Sequence, residues 1–253
     1  MLKNKKILVI GAAGLLGANL VKSLLDNNAS VIAADISLNN LYKSLESVGI
    51  KSDDANCLFH KIDITNTESV KEMFSAIDGL SGAVNCSYPR NKNYGAKFFE
   101  VTHEDFNENI SLNLGSAFLF MQECARYFYN NRCPFSLVNV SSVYGVIAPR
   151  FEMYENTSMT MPVEYSAIKS SLIHLSKYAV KYIGDSKFRV NLVSPGGIID
   201  SQPDSFLEAY NKHTLGKGML DVDDILGSII YLLSDNSAYV NGQNIIVDDG
   251  FIL

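Results

Sequence analysis

The sequence predicts a single α/β domain over residues 1–253, in which a doubly wound parallel sheet carries helices on both faces. Short apolar segments alternate with longer amphipathic ones along the whole chain, and no repeat or linker interrupts them. A length of 253 residues suits one α/β domain. The first apolar segment also runs directly into a glycine-rich turn, as the first strand of such a sheet commonly does.

The alternating pattern predicts seven strands and seven helices in chain order. The strands are expected near 6–10, 31–35, 57–62, 80–86, 135–141, 187–193 and 243–247. The helices are expected near 15–28, 38–48, 66–77, 103–131, 162–184, 203–214 and 221–234. Parallel strands joined by right-handed crossovers form one sheet, and ligands bind outside the carboxyl ends of its strands.

The first strand–helix–strand unit carries a dinucleotide-binding pattern. The strand that ends at Ile10 is followed by Gly11-Ala-Ala-Gly14-Leu-Leu-Gly17, an apolar helix and a second strand that ends on Asp35. Glycines let the backbone approach a pyrophosphate at a helix N-terminus, where amide donors and the helix dipole favour negative charge. The acid can accept hydrogen bonds from the adenosine ribose. This unit predicts a Rossmann-type nucleotide site.

Asp35 also indicates which nucleotide is bound. A 2′-phosphate placed against its carboxylate meets like-charge repulsion of several kcal/mol. The glycine turn contains no lysine or arginine, and Ile36-Ser37 follow the acid without a counter-charge. The sequence therefore favours NAD(H) over NADP(H).

Tyr165 and Lys169 are four residues apart in a predicted helix, so both side chains can point into one cleft. A free tyrosine has a pKa of about 10, and lowering it by roughly three units requires about 4 kcal/mol. A positive charge at about 4–5 Å supplies about 3–4 kcal/mol at an effective dielectric constant of about 20. Lys169 is therefore predicted to lower the pKa of Tyr165 and to make it a proton carrier.

Other motifs occur in a fixed order around this pair. They include Ser142 in Asn-Val-Ser-Ser-Val-Tyr-Gly, Asn113 in Leu-Asn-Leu-Gly, Asp63 in Ile-Asp-Ile-Thr, Asn85 after the fourth strand, and Ser-Pro195-Gly196-Gly before Ile198. With these motifs the chain resembles the short-chain dehydrogenase/reductase family over essentially its whole length. The resemblance implies a catalytic tetrad of Asn113, Ser142, Tyr165 and Lys169. It implies cofactor contacts at Gly11, Gly14, Leu15, Leu16, Gly17, Asp35, Ile36, Asp63, Ile64, Asn85, Tyr165, Lys169, Pro195, Gly196 and Ile198.

Three departures from the family pattern keep other functions open. The Gly-x-x-Gly-x-x-Gly spacing is more typical of the nucleotide-sugar branch, which makes an epimerase or dehydratase with tightly held NAD an alternative. Cys86-Ser87-Tyr88 adds bulk where an alanine and a glycine usually lie beside the cofactor, and Asp200 replaces a threonine. These two changes leave a non-catalytic NAD-binding or scaffolding protein as a further alternative.

Three loops are predicted to form the substrate site, near 88–97, 144–161 and 198–214. The first two resemble bacterial family members involved in flagellin or surface-glycan modification. We expect substrate contacts from Tyr88, Arg90, Lys92, Tyr144 and Arg150. Arginine binds phosphate or carboxylate with paired hydrogen bonds, and tyrosines can stack on a sugar. The loops therefore predict a sugar-like, anionic small-molecule substrate, with a role in the synthesis of a surface-glycan precursor.

Composition excludes several other classes of protein. A net charge of −6 argues against nucleic acid as a partner. The four cysteines have neither metal-ligand spacing nor a disulfide framework, as expected of a cytoplasmic protein without a metal site. The uncharged run at 7–21 is shorter than the roughly 20 residues that span a bilayer. It belongs to the nucleotide-binding unit, so neither membrane insertion nor export is expected.

The two longest predicted helices, 103–131 and 162–184, carry apolar residues on more than one face. One face of each can pack on the sheet, and the other needs a cover. These helices are therefore predicted to pair between subunits in a homodimer or homotetramer, as they do in the family.

Overall fold

The computed structural model describes residues 1–155, 157 and 159–253. Its centre is one sheet of seven strands in the order β3-β2-β1-β4-β5-β6-β7, and every neighbouring pair is parallel. The strands are β1 (Lys6–Ile10), β2 (Ser30–Asp35), β3 (Cys57–Lys61), β4 (Gly82–Asn85), β5 (Phe135–Val140), β6 (Phe188–Pro195) and β7 (Asn244–Val247). The order changes direction between β1 and β4, where a doubly wound sheet opens a crevice for ligands. The predicted fold class is confirmed.

In the described residues, eight α-helices flank this sheet. They are α1 (Leu15–Asp26), α2 (Leu38–Ser47), α3 (Thr67–Ala76), α4 (His103–Ile110), α5 (Ser116–Asn131), α6 (Val163–Ile183), α7 (Asp204–Asn211) and α8 (Asp223–Leu233). The helix predicted over 103–131 is divided, because Ser111–Gly115 form a π-helical turn between α4 and α5. Such wide turns are frequent at functional sites.

The strands are apolar on both faces because helices cover both sides of the sheet. One layer packs α1, α2 and α8 against side chains that include Val9, Val84, Val138 and Val193. The other packs α3, α5 and α6 against Leu8, Ala83, Leu137 and Leu192. Residues one position apart along each strand therefore belong to opposite layers, which fixes the register of the sheet.

A third apolar cluster lies apart from these two layers and supports the loops near the candidate site. Its buried members are Val143, Tyr144, Met153, Tyr154, Phe206, Tyr210, Met219 and Phe251. It joins the segment after β5, the helix α7 and the residues that follow β7.

Among the residues that the structure describes, no helix is both long enough and apolar enough to span a membrane.

Candidate active site

Two adjoining cavities lie at the carboxyl edge of the sheet. The glycine-turn cavity has a volume of about 480 Å³, and its lining includes Gly11, Gly14, Asp35, Ile36, Asp63 and Ile64. The Tyr165 cavity has a volume of about 400 Å³, and its lining includes Ser142, Tyr165, Lys169, Pro195, Gly196 and Ile198. Cys86, Ser87 and Tyr88 line both cavities. One elongated ligand could therefore extend from the first cavity into the second.

The glycine turn is packed too closely to accept side chains at two of its positions. Gly11 has a φ of +76°, and a Cβ there would lie 2.7 Å from the backbone N of Ser87. A Cβ on Gly17 would lie 2.2 Å from the carbonyl O of Gly11. Gly14 precedes α1 without a side-chain capping bond, and the first amides of a helix have no intrahelical acceptor. The turn thus presents backbone donors to the cavity.

Asp35 is held rigidly at the end of β2. Its Oδ2 accepts a hydrogen bond from Ala13 N at 3.1 Å, and its Oδ1 accepts one from Ser37 N at 3.2 Å. Its carboxylate shares a cavity with the glycine turn. Backbone donors for a pyrophosphate and a carboxylate for a ribose diol are together what a dinucleotide requires. The residues present fit such a cofactor.

Ser142, Tyr165 and Lys169 come together in the Tyr165 cavity. Ser142 lies just beyond the end of β5, where its hydroxyl accepts a hydrogen bond from Tyr144 N at 3.2 Å and its side chain lines the same cavity as Tyr165. Tyr165 and Lys169 lie one turn apart in α6. The Lys169 Nζ donates to the Val140 carbonyl at 2.8 Å and lies 5.5 Å from the ring centroids of both Tyr88 and Tyr165.

Burial dominates the ionisation of this pair. It raises the pKa of Tyr165, and the nearby Ser142 side chain offsets only part of that rise. Burial also lowers the pKa of Lys169 to about 8. The prediction that Lys169 lowers the pKa of Tyr165 is therefore wrong: the ammonium faces the ring and bonds to a carbonyl, while desolvation favours the neutral phenol.

The lowered pKa of Lys169 predicts how the stability of the fold depends on pH. The pKa of Lys169 is about 8 in the folded protein and 10.5 in the unfolded chain, so between these pH values the unfolded chain binds more protons at this residue than the native protein does. The contribution of Lys169 to the free energy of unfolding therefore rises with pH across this range. Urea denaturation at about pH 7 and 9.5 should show the wild type gaining stability relative to Lys169→Met. An identical difference between the two proteins at both values would contradict the lowered pKa.

Asn113 lies close to these residues without lining either cavity. It is buried in the π-helical turn, where its Nδ2 donates to the Pro89 carbonyl at 3.4 Å. Through this bond it contacts the loop that carries Tyr88. Asn85 also lines neither cavity, and its Oδ1 accepts hydrogen bonds from Ser87 N at 3.0 Å and Ser87 Oγ at 2.6 Å.

Leu15, Leu16 and Gly17 form the start of α1 and do not line the glycine-turn cavity.

The five predicted substrate residues do not lie together. Tyr88 and Tyr144 line the Tyr165 cavity, but Arg90 lines the glycine-turn cavity. Lys92 is exposed on the loop after β4 and lines neither cavity.

Arg150 has a structural contact instead of the predicted substrate contact. Its Nη2 donates to the carbonyls of Phe251 at 3.0 Å and Leu253 at 3.4 Å, and its guanidinium lies over the Phe251 ring. The predicted cluster of cations around an anionic substrate is thus not formed. Lys169 is the only lysine or arginine that lines the Tyr165 cavity among the residues described.

Aromatic and methionine side chains beyond the five predicted substrate residues form much of the Tyr165 cavity. They are Tyr154, Met159, Met161, Phe206, Tyr210 and Met219. All of them except Met219 lie in the substrate loops predicted near 144–161 and 198–214. Met219 carries no sequence signal, because it reaches the cavity only through the packing of the chain after α7.

Tyr210 holds the turn that follows β6. Its hydroxyl accepts a hydrogen bond from Gly197 N at 2.6 Å, and a Cβ on Gly196 would lie 2.7 Å from that oxygen. Its ring stacks on Phe251 with a centroid distance of 4.5 Å. The helix α7 therefore packs directly over one wall of the cavity.

Comparison with known proteins agrees with this geometry. Residues 11–252 match the family described as enoyl-(acyl carrier protein) reductase, a branch of the short-chain dehydrogenases. The chain belongs to the short-chain dehydrogenase/reductase family. This short-chain dehydrogenase/reductase is 40% identical to the post-translational flagellin modification protein A of Campylobacter coli, with 99% of each chain covered. It is 28% identical to the carbonyl reductase [NADPH] 2 of Sus scrofa, covering 98% of this chain and 96% of that one.

A solved structure agrees over almost the whole length. The short chain dehydrogenase of Leptospira borgpetersenii with bound NAD+ superposes with a TM-score of 0.87 at 29% identity, covering 99% of this chain and 94% of that chain. The seven-stranded sheet and its flanking helices are therefore those of the family.

In the ranges 1–155 and 159–253 and at residue 157, no group of three or more His, Cys, Asp or Glu side chains could hold a metal ion.

Proposed function

We propose that this short-chain dehydrogenase/reductase uses NAD(H) to interconvert a secondary alcohol and a ketone on a sugar-like substrate. The observation that carries the proposal is the meeting of Ser142, Tyr165 and Lys169 in a cavity that shares Cys86, Ser87 and Tyr88 with the glycine-turn cavity. A dinucleotide along both cavities would bring its reactive end to the hydroxyl of Tyr165.

Each of the three side chains has a distinct task. When bound, NAD(H) supplies or accepts the hydride. The Tyr165 hydroxyl gives a proton to the substrate oxygen in reduction and takes one from the alcohol in oxidation. The Ser142 hydroxyl, which lines the same cavity, holds the substrate oxygen. Because burial raises the pKa of Tyr165, the phenol is protonated near neutral pH and holds the proton that reduction of a ketone requires.

Lys169 and Asn113 act around this centre. Lys169 is fixed by its bond to Val140 and packs on the Tyr165 ring, so it can orient the tyrosine and reach the nicotinamide ribose. Asn113 remains the fourth member of the proposed tetrad. Its buried side chain supports the path by which the proton is relayed. The remaining proposed cofactor contacts are those that the family resemblance implied.

Asp35 supports NAD(H) as the cofactor rather than NADP(H). Its carboxylate is fixed by two backbone donors and lines the cavity in which the adenosine ribose would lie. A 2′-phosphate there would meet its charge. The Leptospira relative, which holds NAD+, agrees with this preference, whereas the Sus scrofa relative is named for NADPH.

The Tyr165 cavity and the relatives together support a compact sugar. A volume of about 400 Å³ lies toward the lower end of the range for small-molecule sites. Tyrosine hydroxyls in its wall can bond to sugar hydroxyls, and aromatic rings can pack on the sugar face. The Campylobacter coli relative, named for flagellin modification, supports a role in glycan-precursor synthesis in the cytoplasm. The proposed substrate does not include the anionic group predicted from the sequence, because Arg90, Lys92 and Arg150 do not line the Tyr165 cavity.

Absorbance at about 340 nm tests this function directly. The protein with NADH and a panel of neutral and phosphorylated keto-sugars should consume NADH with at least one neutral member, and NADPH should support a much lower rate. Product formed without net change of NADH would favour the epimerase or dehydratase that the glycine spacing allows. Binding of NADH without any product would favour the non-catalytic alternative.

We also propose that two copies of the chain pair through α5 and α6. A groove of about 540 Å³ lies between these helices, and its rim includes Phe118, Tyr129, Tyr178 and Tyr182, which are 48%, 61%, 62% and 77% exposed. Exposed apolar side chains in one contiguous patch mark an interaction surface. A second copy buries the same patch on both partners.

Sedimentation velocity at micromolar concentration should therefore show a dimer or tetramer. The double variant Phe118→Ser and Tyr182→Ser should sediment as a smaller species, while Tyr239→Ser, at a residue 99% exposed elsewhere, should not change the assembly. A monomeric wild type would contradict the pairing.

A further inference from the structure

Arg90 lies on the loop after β4 and lines the glycine-turn cavity together with Gly11 and Gly14. Its position is defined by two aromatic rings. The guanidinium carbon is 5.2 Å from the ring centroid of Tyr88 and 6.0 Å from that of Tyr94. These rings meet edge to face with centroids 5.6 Å apart, and their hydroxyls are hydrogen-bonded to each other. The guanidinium therefore rests on a preformed support.

The backbone beside Arg90 is also fixed. Asn91 N donates to Asn109 Oδ1 at 2.9 Å, which ties the loop to α4. The Asn91 side chain donates to Asp105 at 2.8 Å and Glu108 at 2.7 Å. The carboxylates of Asp105 and Glu108 in α4 therefore already accept hydrogen bonds from the side-chain amide of Asn91. Within the described part of the chain, the ion pairs closer than 4 Å do not include Arg90.

Acidic side chains outnumber basic ones in the lining of the glycine-turn cavity, which opposes the binding of an anionic ligand. Its other charged lining residues are the acids Asp35 and Asp63, so Arg90 is its only cation among the described residues. Asp35 is placed for a ribose, and the amides at the start of α1 face a phosphate. A pyrophosphate brings two negative charges, and amides alone do not neutralise them. Arginine suits this task because its planar fork bonds two oxygens at once.

We propose that Arg90 binds the pyrophosphate of the dinucleotide from the β4 loop, with Tyr88 and Tyr94 holding its guanidinium. This inference rests on the proposed use of NAD(H) and assigns Arg90 to the cofactor instead of the substrate. It also gives a reason for the bulk of Tyr88, which stands where the family pattern has a small residue. The ring contacts Arg90 on the cofactor side and Lys169 and Tyr165 on the substrate side.

Binding of cofactor fragments tests the proposal without any turnover. Calorimetric or competition titrations with NAD+, ADP and adenosine would be made on the wild type, Arg90→Ala and Lys92→Ala. Arg90→Ala should weaken NAD+ and ADP binding about 10-fold or more, as expected for loss of a charge-assisted contact. Adenosine affinity should not change. Lys92→Ala, which removes an exposed cation from the same loop, should leave all three affinities as in the wild type.

The outcomes separate this inference from the proposed function. Unchanged ADP affinity in Arg90→Ala, or an equal loss for ADP and adenosine, would overturn the pyrophosphate contact. If the wild type bound neither NAD+ nor ADP, the proposed function itself would fail. As a further readout, salt should weaken ADP binding less in Arg90→Ala than in the wild type, because one charge contact is missing.

Discussion

Replacement of Tyr165 by phenylalanine is expected to lower kcat by about 10²–10⁴-fold, the range found when a positioned acid–base group is lost. The variant lacks only the hydroxyl that, in the proposed reaction, exchanges the substrate proton in the cavity shared with Ser142. Its ring can still pack edge to face on Tyr88, at a centroid distance of 5.7 Å, and beneath Lys169. NAD(H) affinity should therefore remain close to that of the wild type, and the loss should appear in kcat. Steady-state rates and NADH titration measure the two effects separately.

The matched control is Tyr239→Phe, which removes a hydroxyl from a side chain that is 99% exposed and lines neither cavity. Its kcat and NADH affinity should equal those of the wild type. If Tyr165→Phe kept the wild-type kcat, Tyr165 would not be the proton carrier. If it lost NADH binding to the same degree as activity, Tyr165 would act in binding alone.

Substitution of Gly17 by alanine is expected to abolish NAD(H) binding and to destabilise the fold by about 1–3 kcal/mol, as for overpacked core sites. The new Cβ would lie 2.2 Å from the Gly11 carbonyl O and 2.8 Å from the Ala12 Cα. Both atoms belong to the backbone, so no side chain can rotate to relieve the contact. The glycine turn must move away from α1, and its donors then no longer converge. Urea denaturation and NADH titration measure the two losses.

Gly227→Ala is the control for Gly17→Ala, because it adds the same methyl group where there is space for it. Gly227 lies in α8, and a Cβ there meets nothing within 4 Å. This substitution should stabilise the protein by about 0.4–1 kcal/mol, because alanine suits a helix interior and glycine does not. NAD(H) affinity should be unchanged. Equal stability and cofactor affinity in Gly17→Ala and the wild type would disprove the close approach of α1 to the turn.

The fold could be predicted because its signals are local and periodic. Apolar strands such as Lys6–Ile10 and Phe188–Pro195 have their predicted positions within one or two residues. The glycine turn and Asp35 are also where a strand–turn–helix unit requires them. The π-helical turn at Ser111–Gly115 was not predicted. The π-helical turn continues the apolar pattern of the helices on either side of it, so the sequence does not indicate where it lies.

The candidate site could be predicted in part for the same reason. Ser142 follows the end of a strand, and Tyr165 and Lys169 lie on one face of a helix. Regular secondary structure therefore brings these three side chains together. Arg150 and Arg90 lie in loops, and a charge in a loop can point in many directions. Arg150 bonds to the carbonyls of Phe251 and Leu253, which are about 100 residues away along the chain. No spacing rule reveals such a contact.

The ionisation of Tyr165 shows a second limit of sequence reasoning. The charge of Lys169 was predicted to dominate because its position in the sequence was known, whereas the degree of burial was not. In the folded protein desolvation raises the pKa of Tyr165 and lowers that of Lys169. Burial depends on the whole surrounding structure, including Tyr88 and Tyr154, which line the same cavity. It could be estimated only once the fold was known.

Isotope transfer tests the central claim most directly. The protein would be incubated with NADH carrying deuterium on the transferable position of nicotinamide C4 and with the keto-sugar that it reduces, and the product would be analysed by mass spectrometry. The account predicts one deuterium on the new carbinol carbon for each NAD+ formed, with the rate of transfer sharply reduced in Tyr165→Phe. A product without deuterium, or an equal rate of transfer in that variant, would contradict it.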